Sequence, residues 1–254
     1  MAEHWDSYFT NVNGLLASIA LNLELRKSSP DPGKPHLLWI WVYMESPRED
    51  GLSSDGEFEA LCAIEDCLTK VMADRFGGVF CGRITTDGRR EFYYYASSSD
   101  QLEPVVKHAM GQFRDYEFDC GSEPDPKWTQ YLNVLFPSDE DRQRMENRHV
   151  LDVLERKGDT LQKPRDVWHW IYFRDQKDRE DFRAAVTRLE YRLQSNHTRE
   201  DSEFPIGICI VRFQSVKWNE IDDAVIELFR LANMHNGDYD GWETKAILER
   251  QGPD

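Results

Sequence analysis

The sequence predicts an α+β protein with two domains, each built on an antiparallel sheet. The first observation is a five-residue word of alternating aromatic side chains, which occurs at residues 39–43 and again at 168–172. The second is that both faces of each word are apolar, which is typical of a strand in the middle of a sheet. The third is that similar helix and strand patterns follow each word in the same order.

The chain begins with a predicted β element over residues 5–25. Asn13 and Gly14 form a pair that favours a tight turn between two strands. Residues 18–25 then alternate between apolar and polar side chains, as a half-buried strand does. A loop rich in proline over residues 28–35 leads to the first aromatic strand, at about 36–44.

The first half continues with elements that end at clear turn signals. The predicted elements, in chain order, are a helix at about 57–74, strands at 79–85 and 90–96, a helix at about 101–113, a short strand from about 115, and one more strand at 128–136. Asp87 and Gly88 predict a hairpin between the two central strands. Pro137 and Ser138 mark the expected boundary, which divides the chain into domains 1–137 and 138–254.

The second half repeats this order after a charged helix. The predicted elements are a helix at about 139–157, the aromatic strand at 166–173, a helix at about 176–190 capped by Asp175, an edge strand at 191–195, a strand at 206–213, a helix capped by Asn219 that runs to about 235, and a closing strand after Gly237. Both halves therefore follow the β-α-β-β-α-β order of ferredoxin-like folds. In such folds the helices cover one face of the sheet, so the aromatic side chains line the other.

Composition places the chain among cytoplasmic globular proteins. It has 254 residues with 40% hydrophobic content, which is enough for two cores. The five cysteines are scattered, and the first residues carry no secretory signal, so we expect reduced thiols in a cytoplasm. No stretch approaches the roughly 20 apolar residues that a membrane span needs, and we expect no membrane partner.

The acidic charge argues against direct nucleic-acid binding. The formal net charge is −16 at pH 7, and both halves carry more acidic than basic residues. Binding to phosphates requires a basic surface, whereas an acidic protein attracts basic partners. The alternative is that the charge only keeps a bacterial-type cytosolic protein in solution.

No residue pattern indicates catalysis or a cofactor. The seven histidines never pair at the spacing of metal ligands on a helix. Cys62 and Cys67 lie on one predicted helix but project roughly 140° apart, which is poor for one metal. No phosphate-binding loop, dinucleotide motif or nucleophile elbow occurs. We therefore expect no catalytic residue, metal or cofactor; the enzyme alternative is a metal-dependent hydrolase that uses clustered aspartates.

The aromatic faces have two interpretations. Aromatic side chains on the uncovered face of such a sheet can stack on nucleic-acid bases. The acidic balance favours the other interpretation, in which these faces are buried against each other or against a second copy of the chain, as in a homodimer. His169 alternates with apolar residues, so we expect a buried, hydrogen-bonded histidine that faces the helices.

The closing strand carries the candidate binding residues. They form one polar and aromatic cluster and are Asp238, Tyr239, Asp240, Trp242 and Glu243. A turn that precedes a strand accounts for the aspartates and Gly241. A recognition surface accounts better for the two aromatic residues, and the pattern leaves both interpretations open.

Three segments of the second half resemble a known family. They are residues 154–159 (LERKGD), 164–173 (PRDVWHWIYF) and 237–244 (GDYDGWET), and the last is the most specific. Residues 138–248 resemble the regulator of ribonuclease E activity B family. The resemblance implies a ferredoxin-like fold, no enzymatic activity, and inhibition of an endoribonuclease by binding the protein rather than its RNA. The first half resembles an uncharacterised bacterial domain, through residues 49–52, 82–85 and 90–95, and no function comes with it.

These observations predict a non-catalytic cytoplasmic regulator that binds a basic protein, such as a ribonuclease or an RNA-processing assembly. Tyr239 and Trp242 are the expected anchors, because aromatic side chains contribute most to binding at many interfaces. Asp238, Asp240 and Glu243 would supply the complementary charge. The rival prediction is a structural module that only associates with itself through its aromatic faces.

Overall fold

The computed structural model describes residues 3–248, which form two compact units that divide between Ser138 and Asp139. Each unit contains one antiparallel sheet with helices between its strands, and the sheets have six and four strands. The predicted α+β class with two antiparallel sheets is confirmed. In residues 3–248, no helix is long and apolar enough to cross a membrane.

The first unit is a ferredoxin-like sheet extended by a hairpin. Its elements are β1 (Trp5–Val12), β2 (Leu15–Asn22), β3 (His36–Tyr43), α1 (Phe58–Phe76), β4 (Val79–Thr86), β5 (Arg89–Ala96), α2 (Leu102–Met110) and β6 (Phe118–Pro124). The strand order is β1-β2-β4-β5-β3-β6. The turns predicted at Asn13-Gly14 and Asp87-Gly88 are confirmed, and all four residues have the positive φ that a tight hairpin turn requires.

The second unit repeats the ferredoxin-like order after one extra helix. Its elements are α3 (Asp139–Arg156), β7 (Arg165–Phe173), α4 (Gln176–Thr187), β8 (Arg192–Thr198), β9 (Ile206–Gln214), α5 (Trp218–Met234) and β10 (Gly237–Thr244). The strand order is β10-β7-β9-β8. The predicted cap of α4 is confirmed, because the Asp175 carboxylate accepts a hydrogen bond of 2.9 Å from the Asp178 N–H.

Both aromatic strands lie in the interior of their sheets, as predicted. β3 pairs with β5 and β6, and β7 pairs with β10 and β9. One apolar face of each strand packs under the helices, and its side chains are fully buried; they are Leu38, Ile40 and Val42 in β3, and Val167, Ile171 and Phe173 in β7. Each such side chain contributes roughly 1.5–3 kcal/mol through its burial, so these two strands anchor the two cores.

The strand predicted at residues 128–136 is wrong. Residues Gln130–Leu135 form a π-helical turn, and Trp128 before it has a φ of 55°. The buried side chains are Trp128, Tyr131 and Leu135, and their spacing of three and four residues places them on one side of a helical turn. The buried side chains of this segment therefore follow a helical spacing and not the alternation of a strand.

Several element limits also differ from the prediction. β6 begins at Phe118 rather than near residue 115, and it continues to Pro124. α5 begins at Trp218 with Lys217 at the cap position, so Asn219 is not the cap. β2 ends at Asn22 because the side chain of that residue accepts a hydrogen bond from the Glu24 N–H and starts a 3₁₀ turn.

Candidate functional site

The candidate site is the open face of the second unit, which is the side of its sheet that α4 and α5 do not cover. Trp168, Trp170 and Tyr172 of β7 lie on this face. On the neighbouring strand β10, Glu243 is directly opposite Trp168, and Asp238 is directly opposite Tyr172. Opposed side chains on paired strands are about 5 Å apart at Cβ, so each pair brings a carboxylate to an aromatic ring.

Tyr239 and Trp242, the expected anchors for a partner, do not lie on this face. Tyr239 is 4% exposed and Trp242 is 8% exposed, and both belong to the core under the helices. The cause is a bulge between Tyr239 and Gly241, where Gly241 has a φ of 123°. The extra residue places both rings on the buried face although they are three positions apart.

Each buried ring has a polar partner in the core. The Tyr239 hydroxyl is 2.8 Å from Nδ1 of His169, and Nε1 of Trp242 donates to Oδ1 of Asn147 at 2.7 Å. Asn147 in turn donates to the Asp222 carboxylate at 2.7 Å. Burial raises the pKa of Asp222. These contacts join α3, α5 and β10, so the two aromatic residues hold the closing strand in place.

His169 is a core residue. It is 0% exposed, and its ring lies edge-on to the ring of Tyr191. Burial, and secondarily the charge of Arg212, lowers the pKa of His169 to about 3, so the imidazole is neutral near pH 7. The predicted buried and hydrogen-bonded histidine is confirmed.

Three acidic side chains of β10 remain exposed: Asp238, Asp240 and Glu243. Asp240 forms an ion pair with Arg199, whose guanidinium carbon is 3.5 Å from the centroid of the Tyr172 ring. Burial, followed by repulsion from Asp240, raises the pKa of Asp238. Glu243 makes no hydrogen bond or ion pair with any residue between 3 and 248. On the open face, Asp240 and Asp166 are therefore paired with arginines, whereas Glu243 has no such partner in the described residues.

A buried ion pair lies at the end of the second unit where β7 begins and β10 ends. Arg165 pairs with Asp159, and the two side chains are 6% and 1% exposed. Burial alone would raise the pKa of Asp159, but hydrogen bonds from Arg165 and from the N–H groups of Ile247 and Leu161 lower it to about 2. The pair fixes the connection into β7 to the segment that follows β10.

The open face of the first unit is partly covered by the unit itself. The 125–136 segment lies over β2, β4 and β5, where the Trp128 ring stacks on Tyr95 with centroids 4.2 Å apart. The Tyr8 hydroxyl donates to the carbonyl of Leu135 at 3.0 Å, and the Tyr131 hydroxyl donates to the carbonyl of Asn22 at 2.8 Å. This part of the first sheet is therefore covered by the unit's own chain, whereas the expectation concerned the aromatic words themselves.

The other part of that face carries the first aromatic word. Trp39, Trp41 and Tyr43 are half-buried. The Arg89 guanidinium lies 4.7 Å from the ring centroid of Trp41 and donates to the Glu91 carboxylate at 2.6 Å. This unit thus contains the same combination of arginine, aromatic ring and carboxylate that Arg199 forms in the second unit.

The structure offers no metal centre within residues 3–248. No group of three or more histidine, cysteine, aspartate or glutamate side chains in this part of the chain is placed to hold an ion. The five cysteines are unpaired, and burial raises the pKa of Cys209 to about 11, which makes a reactive thiolate at that position unfavourable.

The residues that the sequence did not single out here are Arg199 and Asn147. Arg199 comes from a polar loop, and its contact with Tyr172 joins positions far apart in the chain. Asn147 occupies the buried side of a strongly charged helix. No local pattern marks either residue, because both contacts depend on tertiary structure.

The chain is thus an α+β protein of two units, and the first sheet is extended by the hairpin of β1 and β2. The open face of the second sheet, which carries acidic and aromatic side chains, is a candidate protein-binding face. Residues 3–149 match the family described as "Family of unknown function (DUF695)", and the chain belongs to that family. Residues 144–244 match the family described as "Regulator of ribonuclease activity B". Both resemblances drawn from the sequence are confirmed.

Two further comparisons complete this description. No curated protein matches the chain. A solved structure described as "Crystal Structure of an Unknown Protein from Galdieria sulphuraria" aligns over 82% of this chain and 96% of its own, with 8% identity and a TM-score of 0.21.

Proposed function

We propose that this chain is a non-catalytic cytoplasmic protein that binds a ribonuclease, or an assembly containing one, and lowers its activity. The observation that carries the proposal is the match of residues 144–244 to a regulator of ribonuclease activity. The five free cysteines support action in a reducing compartment. We also propose residues 1–137 and 138–254 as separate domains.

The charge of the chain supports a basic partner. The net charge is −16, and Asp238, Asp240 and Glu243 lie exposed along β10. A ribonuclease presents basic surfaces to RNA, and such surfaces are complementary to an acidic face. Tyr239 and Trp242 support this surface from below, since they hold β10 against the core.

The test is an RNA-cleavage assay with the purified full chain and a purified endoribonuclease from the same cell. We expect cleavage to fall as the chain is added, and we expect the two proteins to bind in the absence of RNA with an affinity that decreases as salt rises. Inhibition that requires the chain to bind RNA would contradict the proposal. Parallel reactions without the ribonuclease, with and without divalent metals, test for intrinsic hydrolysis.

The charge-reversing variant Asp238→Lys with Glu243→Lys sharpens this test. Both side chains are exposed on β10, so we expect the variant to fold and to lose inhibition. Asp181→Lys with Glu190→Lys is a matched control, because both side chains are exposed on or next to α4 on the other side of the unit. Equal loss in both variants would indicate a general effect of net charge.

Self-association is the second candidate function. The half-buried aromatic side chains on the two open faces favour it, in particular Trp39, Trp41, Trp168 and Trp170. Sedimentation velocity at several concentrations separates the candidates. A stable dimer that is indifferent to salt, together with no effect on any ribonuclease, would replace the regulatory proposal.

A further inference from the structure

We propose that Trp168 and Glu243 form a recognition site for an arginine side chain in an extended basic segment of the partner protein. The inference deepens the proposed function by naming the partner's chemistry, and it rests on that function for the partner's identity. Its physical basis is a similar site on the same face, formed by Tyr172 and Asp240, which the chain's own Arg199 occupies.

Arg199 shows what the open face binds. Its guanidinium lies over the ring of Tyr172, 3.5 Å from the centroid, and forms an ion pair with Asp240 of β10. Two attractions act on the same cation: the negative face of the aromatic ring and the charge of a carboxylate. Attraction to Asp240 raises the pKa of Arg199 even though its partial burial opposes this.

Another position on the same two strands also combines an aromatic ring with a carboxylate, but no arginine or lysine of the described residues lies on that ring. Trp168 of β7 lies directly opposite Glu243 of β10, one strand repeat beyond Trp170. Glu243 is exposed, and no ion pair or cation–ring contact is formed by Glu243 or Trp168 within residues 3–248. The cationic side chain in the same row of the sheet, Arg192, pairs with Asp166. A tryptophan ring attracts a cation more strongly than a tyrosine ring does, so this position is better suited to a guanidinium than the one that Arg199 occupies.

The space around Trp170 allows an extended segment to reach this position. The residue opposite Trp170 on β10 is Gly241, which has no side chain, and a Cβ built there would meet no atom within 4 Å. Residues on one face of a strand are about 6.6 Å apart for each repeat of two, which is also the spacing of alternate side chains in an extended peptide. A segment with an arginine at Trp168 can therefore continue across Trp170.

Arginine fits better than lysine for a geometric reason. The guanidinium is planar, stacks on an aromatic ring, and still directs N–H donors at a carboxylate beside the ring. The ammonium of lysine is a more strongly hydrated point charge and loses more on leaving water. The site should therefore discriminate between the two cations as well as against a neutral analogue.

The experiment measures binding of short peptides to the full chain by calorimetry at low and moderate salt. The probes are a glycine- and serine-spaced peptide with three arginines, the same peptide with citrulline, and the same peptide with lysine. We expect the arginine peptide to bind at least about tenfold more tightly than the citrulline peptide, with lysine between them. Equal affinity for arginine and citrulline would overturn the proposal.

Variants locate the site. Glu243→Gln keeps the shape of an exposed side chain, and Trp168→Leu removes the ring; we expect each to weaken binding of the arginine peptide at least about fivefold. Glu220→Gln is the control, because it removes an exposed carboxylate from α5, on the opposite side of the unit. If Trp168→Leu fails to fold, Glu243→Gln alone decides, and unchanged binding in that variant overturns the site.

The outcome is separable from that of the proposed function because the peptide assay contains no ribonuclease. Arginine-selective binding that Glu243→Gln abolishes, in a chain that inhibits no ribonuclease, supports the site and overturns the proposed function. Ribonuclease inhibition that survives in Glu243→Gln at full strength overturns the site and leaves the function. Capture of the chain by a second copy of itself, weakened by Glu243→Gln, would overturn the assignment to a foreign partner.

Discussion

The open faces of the two sheets begin with the same aromatic word and are used differently. In the first unit, the 125–136 segment covers β2, β4 and β5 and buries Tyr95 and Trp128 completely or almost so. In the second unit, where the structure describes residues up to 248, Trp168 and Trp170 are half-buried. The covered part of the first face is thus packed like a second core, whereas the tryptophans of the second face keep part of their surface exposed.

The same comparison shows two ways to hold an arginine over an aromatic ring. In the first unit, Arg89 and Glu91 are two residues apart on one strand, next to Trp41. In the second unit, Arg199 comes from the loop after β8, and Asp240 comes from β10. The first arrangement is fixed by one strand, while the second forms only when the whole sheet is assembled.

The largest expected effect tests whether the 125–136 segment is part of the core. Trp128→Ala removes a side chain that is 2% exposed and stacks on Tyr95, and we expect a loss of about 3–5 kcal/mol in the free energy of unfolding. Trp168→Ala is the matched change on the uncovered face, where we expect about 1 kcal/mol. Urea unfolding of the full chain measures both, and hydrogen exchange assigns each loss to its unit.

Equal losses from the two tryptophans would contradict the distinction between the faces. A small loss in Trp128→Ala would indicate that the 125–136 segment only rests on the sheet. A large loss in Trp168→Ala would show that the second open face is itself a core.

The second unit is held at one end by the buried ion pair of Asp159 and Arg165, and this pair should make its stability depend on pH. The pKa of Asp159 is about 2 in the folded chain and about 3.9 when unfolded. Because the folded pKa is the lower one, the carboxylate stabilises the fold above about pH 4, and this contribution is lost as the pH falls toward 2. We expect Asp159→Asn to cost about 2 kcal/mol at pH 7 and progressively less at lower pH.

Urea unfolding between pH 7 and pH 2 measures this dependence. Asp181→Asn is the control, because Asp181 also has a pKa lowered by an ion pair but is exposed on α4, where screening by water leaves little net effect. A difference between wild type and Asp159→Asn that stays constant down to pH 2 would contradict the assignment. Hydrogen exchange should place the change in the second unit.

Elements whose side chains repeat with a clear period can be predicted from the sequence. A feature that depends on one extra residue in a strand, such as a bulge, cannot. β3, β7 and the two hairpin turns follow from alternation and from Asn-Gly and Asp-Gly pairs. The orientation of Tyr239 and Trp242 does not follow, because the bulge before Gly241 changes which side chains share a face. An Asp-Gly pair indicates a turn and a bulge equally well, and only pairing with β7 decides between them.

The same limit applies to the covered face. Trp128, Tyr131 and Leu135 have a helical spacing, yet a segment of nine residues rich in aromatic and β-branched side chains also fits a strand. The tertiary contacts to Tyr8 and Asn22, more than 100 positions away, determine which structure forms. Contacts of that kind leave no trace in a local pattern.

The smallest expected effect concerns glycines that lie against aromatic rings in the two units. A Cβ at Gly237 would be 2.5 Å from the ring of Phe173, which is 0% exposed in the second core. A Cβ at Gly121 would meet the ring of Trp39, which is half-buried on the open face of the first unit. The two sites present the same steric conflict, but only one ring has room to move.

We therefore expect Gly237→Ala to cost about 1–2 kcal/mol, because a packed ring must shift inside a dense core. Gly121→Ala should cost less than about 1 kcal/mol, because the Trp39 ring turns outward and alanine reduces the freedom of the unfolded chain. Urea unfolding measures both changes, and the fluorescence of Trp39 in the folded state should shift only in Gly121→Ala. If Gly121→Ala is the more damaging change, then the ring of Trp39 is fixed, and this part of the first open face is packed as firmly as the part under the 125–136 segment.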